Sequence, residues 1–375
     1  MRRSSNSLIV ACALLVASMA RWAAAEARLQ GDWIVIGGKG NTLESVARDL
    51  GEPEILSFDP ETGWAASARS MRVTGDLTIG GPATSGTTFR FANTLEFDVA
   101  KCGQAQIVLA LDGDSEGPRL VIENSRIGAV RTEAGNDACR LEGNIVGVAA
   151  GHLALRGSAI SGNFVVRATG GDIEIADSLV STSSHMGISL AGASLSHTQI
   201  ARLRSLDHKI YGMEIGSLGR LSDMSDGPDR SDSAVTLEQC TLRGGGADLH
   251  VRGRTTVIAL DCDLDSMRFA GQGGAVRRQW TVAVRTPSPG CRVVAESEKG
   301  TALPERVEAR ADESGVARLA LTEYVARAGG DVYLRAGRND ATPHRLTVYS
   351  ADGNKIIGQL ANYRVLARGQ EVRIP

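Results

Sequence analysis

The sequence predicts an all-β chain: a parallel β-solenoid with about 20–22 residues per coil, followed by a small antiparallel β-sandwich. Three observations carry this. An eight-residue phrase, apolar-x-apolar-x-x-small-x-apolar, recurs in register six times between Leu120 and Leu264. Glycine-rich connections separate the copies, and the chain holds 44 Gly against 6 Phe and 4 Trp, a balance of short strands and tight turns. Beyond Gln279 the phrase stops, and longer alternating runs divided by Gly turns take over.

In chain order, residues 1–27 read as an export signal: Arg2 and Arg3, an apolar run from Leu8 to Ala20, and small residues that place cleavage near Ala25. The run is too short for a comfortable membrane span. "IVAC", ending at Cys12, has the look of a lipoprotein box, but the apolar run continues past it. Losing Arg2, Arg3 and Arg21 leaves 38 basic against 43 acidic side chains and no basic patch. That excludes nucleic acid as a main partner, and no integral membrane segment is expected after signal removal. The mature chain is expected in the periplasm, on the cell surface or secreted.

Residues 28–70 read as a cap. "GGKGNTLESVARDLG" (Gly37 to Gly51) gives a strand, a glycine turn and an amphipathic helix through Leu43, Val46, Ala47 and Leu50, started by Asn41 or Thr42. "GGKGNT" lacks the G-K-[ST] ending of a phosphate loop. Arg72 to Val99 supplies the first coils.

The six copies start at Leu120, Leu153, Ile173, Ala193, Val235 and Val257. Three of the intervals fit one period, the 42 residues after Ala193 fit two, and the first holds an insertion around Cys139. The sixth slot holds Ser125, Ser158, Ser178, Thr198, Cys240 and Cys262; the eighth holds Ile127, Ile160, Val180, Ile200, Leu242 and Leu264. Alternation within a copy gives a strand, and the change of phase after slot four gives a bend. Coils laid strand on strand about 4.8 Å apart make ladders of like side chains. Small hydroxyl and thiol groups suit a crowded interior bend, where they bond nearby backbone.

This phrase resembles the coil signature of right-handed parallel β-helix proteins, the pectin-lyase-like superfamily, over residues 71–275. That superfamily carries Asn, Ser or Cys where slot six lies. The resemblance implies a right-handed coil with a long flat groove; the superfamily spans lyases, hydrolases, epimerases and adhesins, so activity must be read from the site. Gly37 to Val99 is similar to the entry region of secreted bacterial β-helix proteins. Residues 279–375 resemble transthyretin-like or carboxypeptidase-regulatory-like modules, which implies a spacer or binding unit.

The outward columns at slots two, four and seven stack no two carboxylates on adjacent copies, which weighs against a calcium-dependent lyase on this sheet. Two loop clusters remain as candidates. Asp207, His208 and Lys209 offer a base, a proton shuttle and a cation, although neighbours on a strand face opposite ways and the Asp-Pro-His-Asp motif of alginate epimerases is missing. Asp223, Asp226, Asp229 and Asp232 recur every third residue; calcium is the one cofactor this spacing offers, and a solvated loop is the competing reading.

Five cysteines follow the signal, Cys102, Cys139, Cys240, Cys262 and Cys291, an odd number without CxxC spacing. Cys240 and Cys262, on consecutive coils within disulfide range, are expected as stacked buried thiols, with a bridge between them as the alternative. The functional expectation is an exported protein that binds or organises extracellular or envelope polysaccharide. Its alternatives are a lyase or C5-epimerase of uronic-acid polymer acting through Asp207 to Lys209, and a surface structural or adhesion component.

Overall fold

The computed structural model describes residues 26–80, 88–91, 106–109, 118–129, 144–148, 151–160, 164–168, 172–181, 186–190, 198–216, 234–271, 273–299, 301, 303–328, 332–333, 341–365 and 367–374. Three parallel sheets run along the solenoid. The first stacks Trp33–Gly37, Ser70–Val73, Gln106–Leu109, Asn144–Val148, Phe164–Ala168, Met186–Leu190, Tyr211–Ile215, Ala247–Arg252 and Ser266–Ala270. The second stacks Asn41–Thr42, Asp76–Gly80, Arg119–Glu123, His152–Arg156, Asp172–Ala176, Thr198–Ala201, Ala234–Glu238, Thr256–Leu260 and Ala275–Arg285. The third stacks Trp64–Ser67, Thr88–Phe91, Arg126–Ala129, Ala159–Ile160, Leu179–Ser181, Arg204–His208 and Thr241–Gly244. Each coil passes from the second sheet through a bend to the third, then to the first. Leu120, Leu153, Ile173, Val235 and Val257 are each about fully buried, so the first slot is an apolar column in these five copies.

The bend has one recurrent conformation. Slot five is left-handed in every described copy: Asn124 (φ 48°), Gly157 (55°), Asp177 (51°), Arg202 (50°), Gln239 (53°) and Asp261 (53°). Left-handed backbone is costly for residues other than Gly, Asn and Asp. Here each slot-five N–H donates to the slot-four carbonyl of the next coil at 2.8–3.1 Å, so the parallel ladder continues through the corner.

Slot six follows the same logic. Ser158 Oγ accepts from Ser125 N at 3.0 Å and Ser178 Oγ from Ser158 N at 3.2 Å, while each hydroxyl donates to carbonyls of its own and the preceding coil. Cys240 and Cys262 continue the column as free, buried thiols facing Glu238 O and Leu237 O, both at 3.3 Å.

One copy of the phrase shifts by five residues. Ile173 pairs with Thr198 and Ile175 with Ile200, and Ile200 pairs with Leu237. The copy therefore reads Thr198 to Ser205: Thr198 stands in slot one, Ile200 in slot three, Leu203 in slot six and Ser205 in slot eight. Ile200 satisfies an inward apolar slot in either frame, and Thr198 imitates the hydroxyl column. Arg202 in the left-handed position and Arg204 N bonded to Ser178 O fix the true frame.

Stacking begins inside the stretch assigned to the cap, because Trp33–Gly37 and Asn41–Thr42 are already rungs. The single helix among the described residues, α1 (Leu43–Leu50), follows. Thr42 and Ser45 form a capping box at its start, and Gly51, left-handed at φ 65°, ends it. Leu43 and Val46 close the N-terminal end of the core. The hairpin partner Glu26–Gln30 lies antiparallel on the edge of the first sheet.

At the other end the solenoid and the C-terminal layers share a strand. Ala275–Arg285 closes the parallel stack of the second sheet through residues 275–279 on one edge, and along its whole length pairs antiparallel with Val316–Arg327 on the other. Val276, Tyr324 and Ala326 belong to the solenoid core; Trp280, Val282, Leu319 and Leu321 belong to a second core. That second core faces the antiparallel sheet of Arg306–Arg310, Arg292–Ser297, His344–Tyr349 and Ile356–Tyr363. Asp261 serves the changeover, its carboxylate accepting from Thr281 N at 2.7 Å. Among the described residues no helix is long and apolar enough to cross a membrane.

Candidate functional site

The structure disperses the trio Asp207, His208 and Lys209. His208 is buried between the third and first sheets, its Nε2 2.9 Å from Ser205 Oγ. Ser205 gives its only proton to Gly212 O at 2.6 Å, so Nε2 carries the hydrogen and donates to Ser205. A Cβ at Gly187 would overlap the His208 ring. Asp207 is left-handed (φ 67°) and exposed, accepting from Ser181 Oγ at 2.6 Å, and Lys209 is exposed. The three groups do not converge, and the imidazole is spent on holding a corner.

Asp223, Asp226, Asp229 and Asp232 lie outside the described residues, as do Cys102 and Cys139. Around the second cysteine copy, Asp263 and Asp265 face water but surround a resident cation: Arg243 lies 2.8 Å from Asp263, 3.7 Å from Asp265 and 3.8 Å from Asp248. Asp248, buried, also accepts from Gly244, Asp265 and Ser266 N–H groups, which ties the turn between coils. Among the described residues no three His, Cys, Asp or Glu side chains gather as a metal set.

A polar groove of about 560 Å³ lies along the bend. Its floor is the left-handed column, Asn124, Gly157, Asp177 and Arg202; its wall is slot seven, with Arg126 and Arg204 at the ends and Ala159 and Leu179 between. Arg126 and Arg204 are in register three rungs apart, about 14 Å at the strand spacing. Both are exposed, and neither has an ion-pair partner among the described residues. Other nearby guanidinium groups are occupied. Arg202 is paired with Asp177, and Arg156 bonds Glu123 at 2.7 Å and Glu174 at 2.6 and 2.7 Å. Bonds from Arg156 hold the Glu174 carboxyl below its ordinary range.

A second cluster escaped the sequence reading. Met213, Ile215, Leu249 and Val251 face the core, so Glu214, His250 and Arg252 project from the outer face of the first sheet. Glu214 accepts from His250 Nδ1 at 2.9 Å, Arg252 at 3.2 Å and Ser189 at 3.4 Å. Tyr211 stacks on the imidazole with centroids 4.3 Å apart, and Arg268 is in register with His250 on the next rung. Burial pushes the Glu214 carboxyl up, but the His250 hydrogen bond and the Arg252 charge outweigh it and keep the group below the ordinary glutamate range. The detectable signal was the outward parity of Glu214 and His250 in two strands with apolar inward residues. The repeated phrase covers only the second and third sheets, so that parity went unaligned. Compared with family models, curated proteins and solved structures, the chain finds no match.

Proposed function

We propose that this is an exported protein whose solenoid, right-handed and pectin-lyase-like in kind, binds an extended anionic polysaccharide along the bend groove. The observation that carries this reading is the pair Arg126 and Arg204, two exposed cations without acid partners among the described residues, at the ends of a groove that crosses four coils. An extended polymer lying along the solenoid axis meets one coil after another, and its carboxylates find the two guanidinium groups at fixed separation. The C-terminal layers, transthyretin-like in character, serve as a rigid spacer through the shared strand Ala275–Arg285.

Lyase or epimerase chemistry at Asp207 to Lys209 gains no support, because His208 is enclosed and bonded to Ser205. Affinity electrophoresis against alginate, pectate and a neutral glucan tests the binding reading. Retardation is expected with the acidic polymers alone. Charge-assisted bonds contribute about 1.5–3 kcal/mol each, so R126A/R204A is expected to weaken retention by at least tenfold. Equal retention of the double variant overturns the groove, and absence of retention by every polymer favours a structural or adhesion role instead.

A further inference from the structure

We propose that Glu214, His250 and Arg252 form an acid–base site on the outer face of the first sheet, where His250 Nε2 takes a proton from a bound hydroxyl or water. This goes beyond the polymer groove, which lies on the bend between the other two sheets.

Outward residues of a solenoid ordinarily meet water, as Gln199, Thr236 and Glu238 do on the second sheet. Glu214 and His250 face the same way from the first sheet, yet retain only 5 % and 7 % of their exposure. Their polar atoms are arranged, not merely enclosed. An ionised Glu214 is acceptor only, so the hydrogen at 2.9 Å belongs to His250 Nδ1. With the hydrogen on Nδ1, the neutral form of the ring has its lone pair on Nε2, which has no hydrogen-bond partner among the described residues. Tyr211 fixes the ring plane from one side.

Arg252 supplies the complementary half. One of its terminal nitrogens is held by the same carboxylate, while its Nε is a buried donor without an acceptor. A buried donor left unsatisfied costs about 1–3 kcal/mol, so this position favours an incoming acceptor. The group that serves both atoms donates to Nε2 and accepts from the guanidinium: an oxygen bearing a hydrogen. Proton transfer then breaks the O–H bond and forms N–H on His250. The developing negative oxygen faces Arg252, and the imidazolium faces Glu214. A carboxylate that orients an imidazole and stabilises its charged form is the positioning arrangement of general-base catalysis.

The probe is p-nitrophenyl acetate with the full mature chain. Water adds to the acyl carbon as its proton passes to Nε2, p-nitrophenolate leaves, and acetate and the proton return to solvent. His250→Ala is expected to lower the rate by about 100-fold. Glu214→Gln, which retains a hydrogen-bond acceptor but no charge, is expected to move the acid limb of the rate profile to lower pH, because the imidazolium loses its facing anion. A purely structural pair would not move that limb. Rates unchanged in H250A with an unchanged circular dichroism spectrum, or an unmoved limb in E214Q, overturn the proposal. If H250A does not fold, carbethoxylation of the native chain decides. His250 is expected to react ahead of His208 and His344, and an inert His250 overturns the assignment.

Discussion

Removing the Ser158 hydroxyl measures what the slot-six column contributes. Ser158 Oγ accepts from Ser125 N at 3.0 Å and donates to Arg156 O at 2.8 Å and Ile122 O at 3.2 Å. Ser125 retains 2 % of its exposure, so in Ser158→Ala its N–H loses its acceptor where water does not reach. A buried donor left unsatisfied costs about 1–3 kcal/mol, and the methyl group is too small to disturb packing. Ser158→Cys is expected to cost less, because Cys240 and Cys262 fill equivalent positions with sulfur against the same kind of carbonyl. Urea unfolding of both variants, followed by circular dichroism, provides the comparison. A loss under about 0.5 kcal/mol for S158A, or a cysteine variant weaker than the alanine one, refutes the reasoning that the column is held by hydrogen bonds.

The corner at His208 gives a coupled pair. A methyl group at Gly187 overlaps the His208 ring and Ser205 Oγ, so Gly187→Ala is expected to cost about 1–3 kcal/mol. His208→Ala vacates that space, and a double-mutant cycle is expected to show coupling above about 1 kcal/mol; additivity within 0.5 kcal/mol would sink the packing account. At the C-terminal layers, burial pushes the Glu305 carboxyl up, but hydrogen bonds from His344 and Thr322 outweigh it and set the group below its ordinary value of 4.5. A depressed folded value means stability that is present above 4.5 and lost as pH falls through the folded value. Hydrogen exchange in Arg292–Ser297 and His344–Tyr349 is expected to speed up on acidification, and Glu305→Gln to flatten that response.

The fold was legible where side chains repeat and illegible where they do not. Slots one, three and eight fall on inward rungs because apolar periodicity in a stacked strand has one solution per face. The copy at Thr198 to Ser205 went astray because Ile200 suits two frames; only the left-handed residue at Arg202 separates them, and arginine advertises no such preference. The shared strand at Ala275–Arg285 was hidden for a related reason. Apolar residues recur at every second position from Val276 to Val284 except at Arg278, and the strand holds the parallel rung Thr256–Leu260 on one edge while Val316–Arg327 runs antiparallel along the other. His208 looked chemical since it sits between a carboxylate and an ammonium in sequence. A strand turns such neighbours apart, and the left-handed Asp207 adds a further twist.

Charge pairing decides which clusters are left to act on a ligand. Asp248, Asp263 and Asp265 make an acidic group that, counted by sequence, suits a divalent cation; Arg243 already stands among them, so a metal would have to displace a guanidinium held by three carboxylates. Arg156 and Arg202 are matched by Glu123, Glu174 and Asp177 in the same way. Arg126 and Arg204 differ because slot seven places Ala159 and Leu179 between them where acids would have closed the pairs. An exposed, paired surface cation offers a ligand little, since the partner must first be displaced. Two cations unpaired among the described residues, at the ends of a groove, offer their full charge, so binding of a polyanion there should weaken with salt in proportion to the phosphates, sulfates or carboxylates engaged.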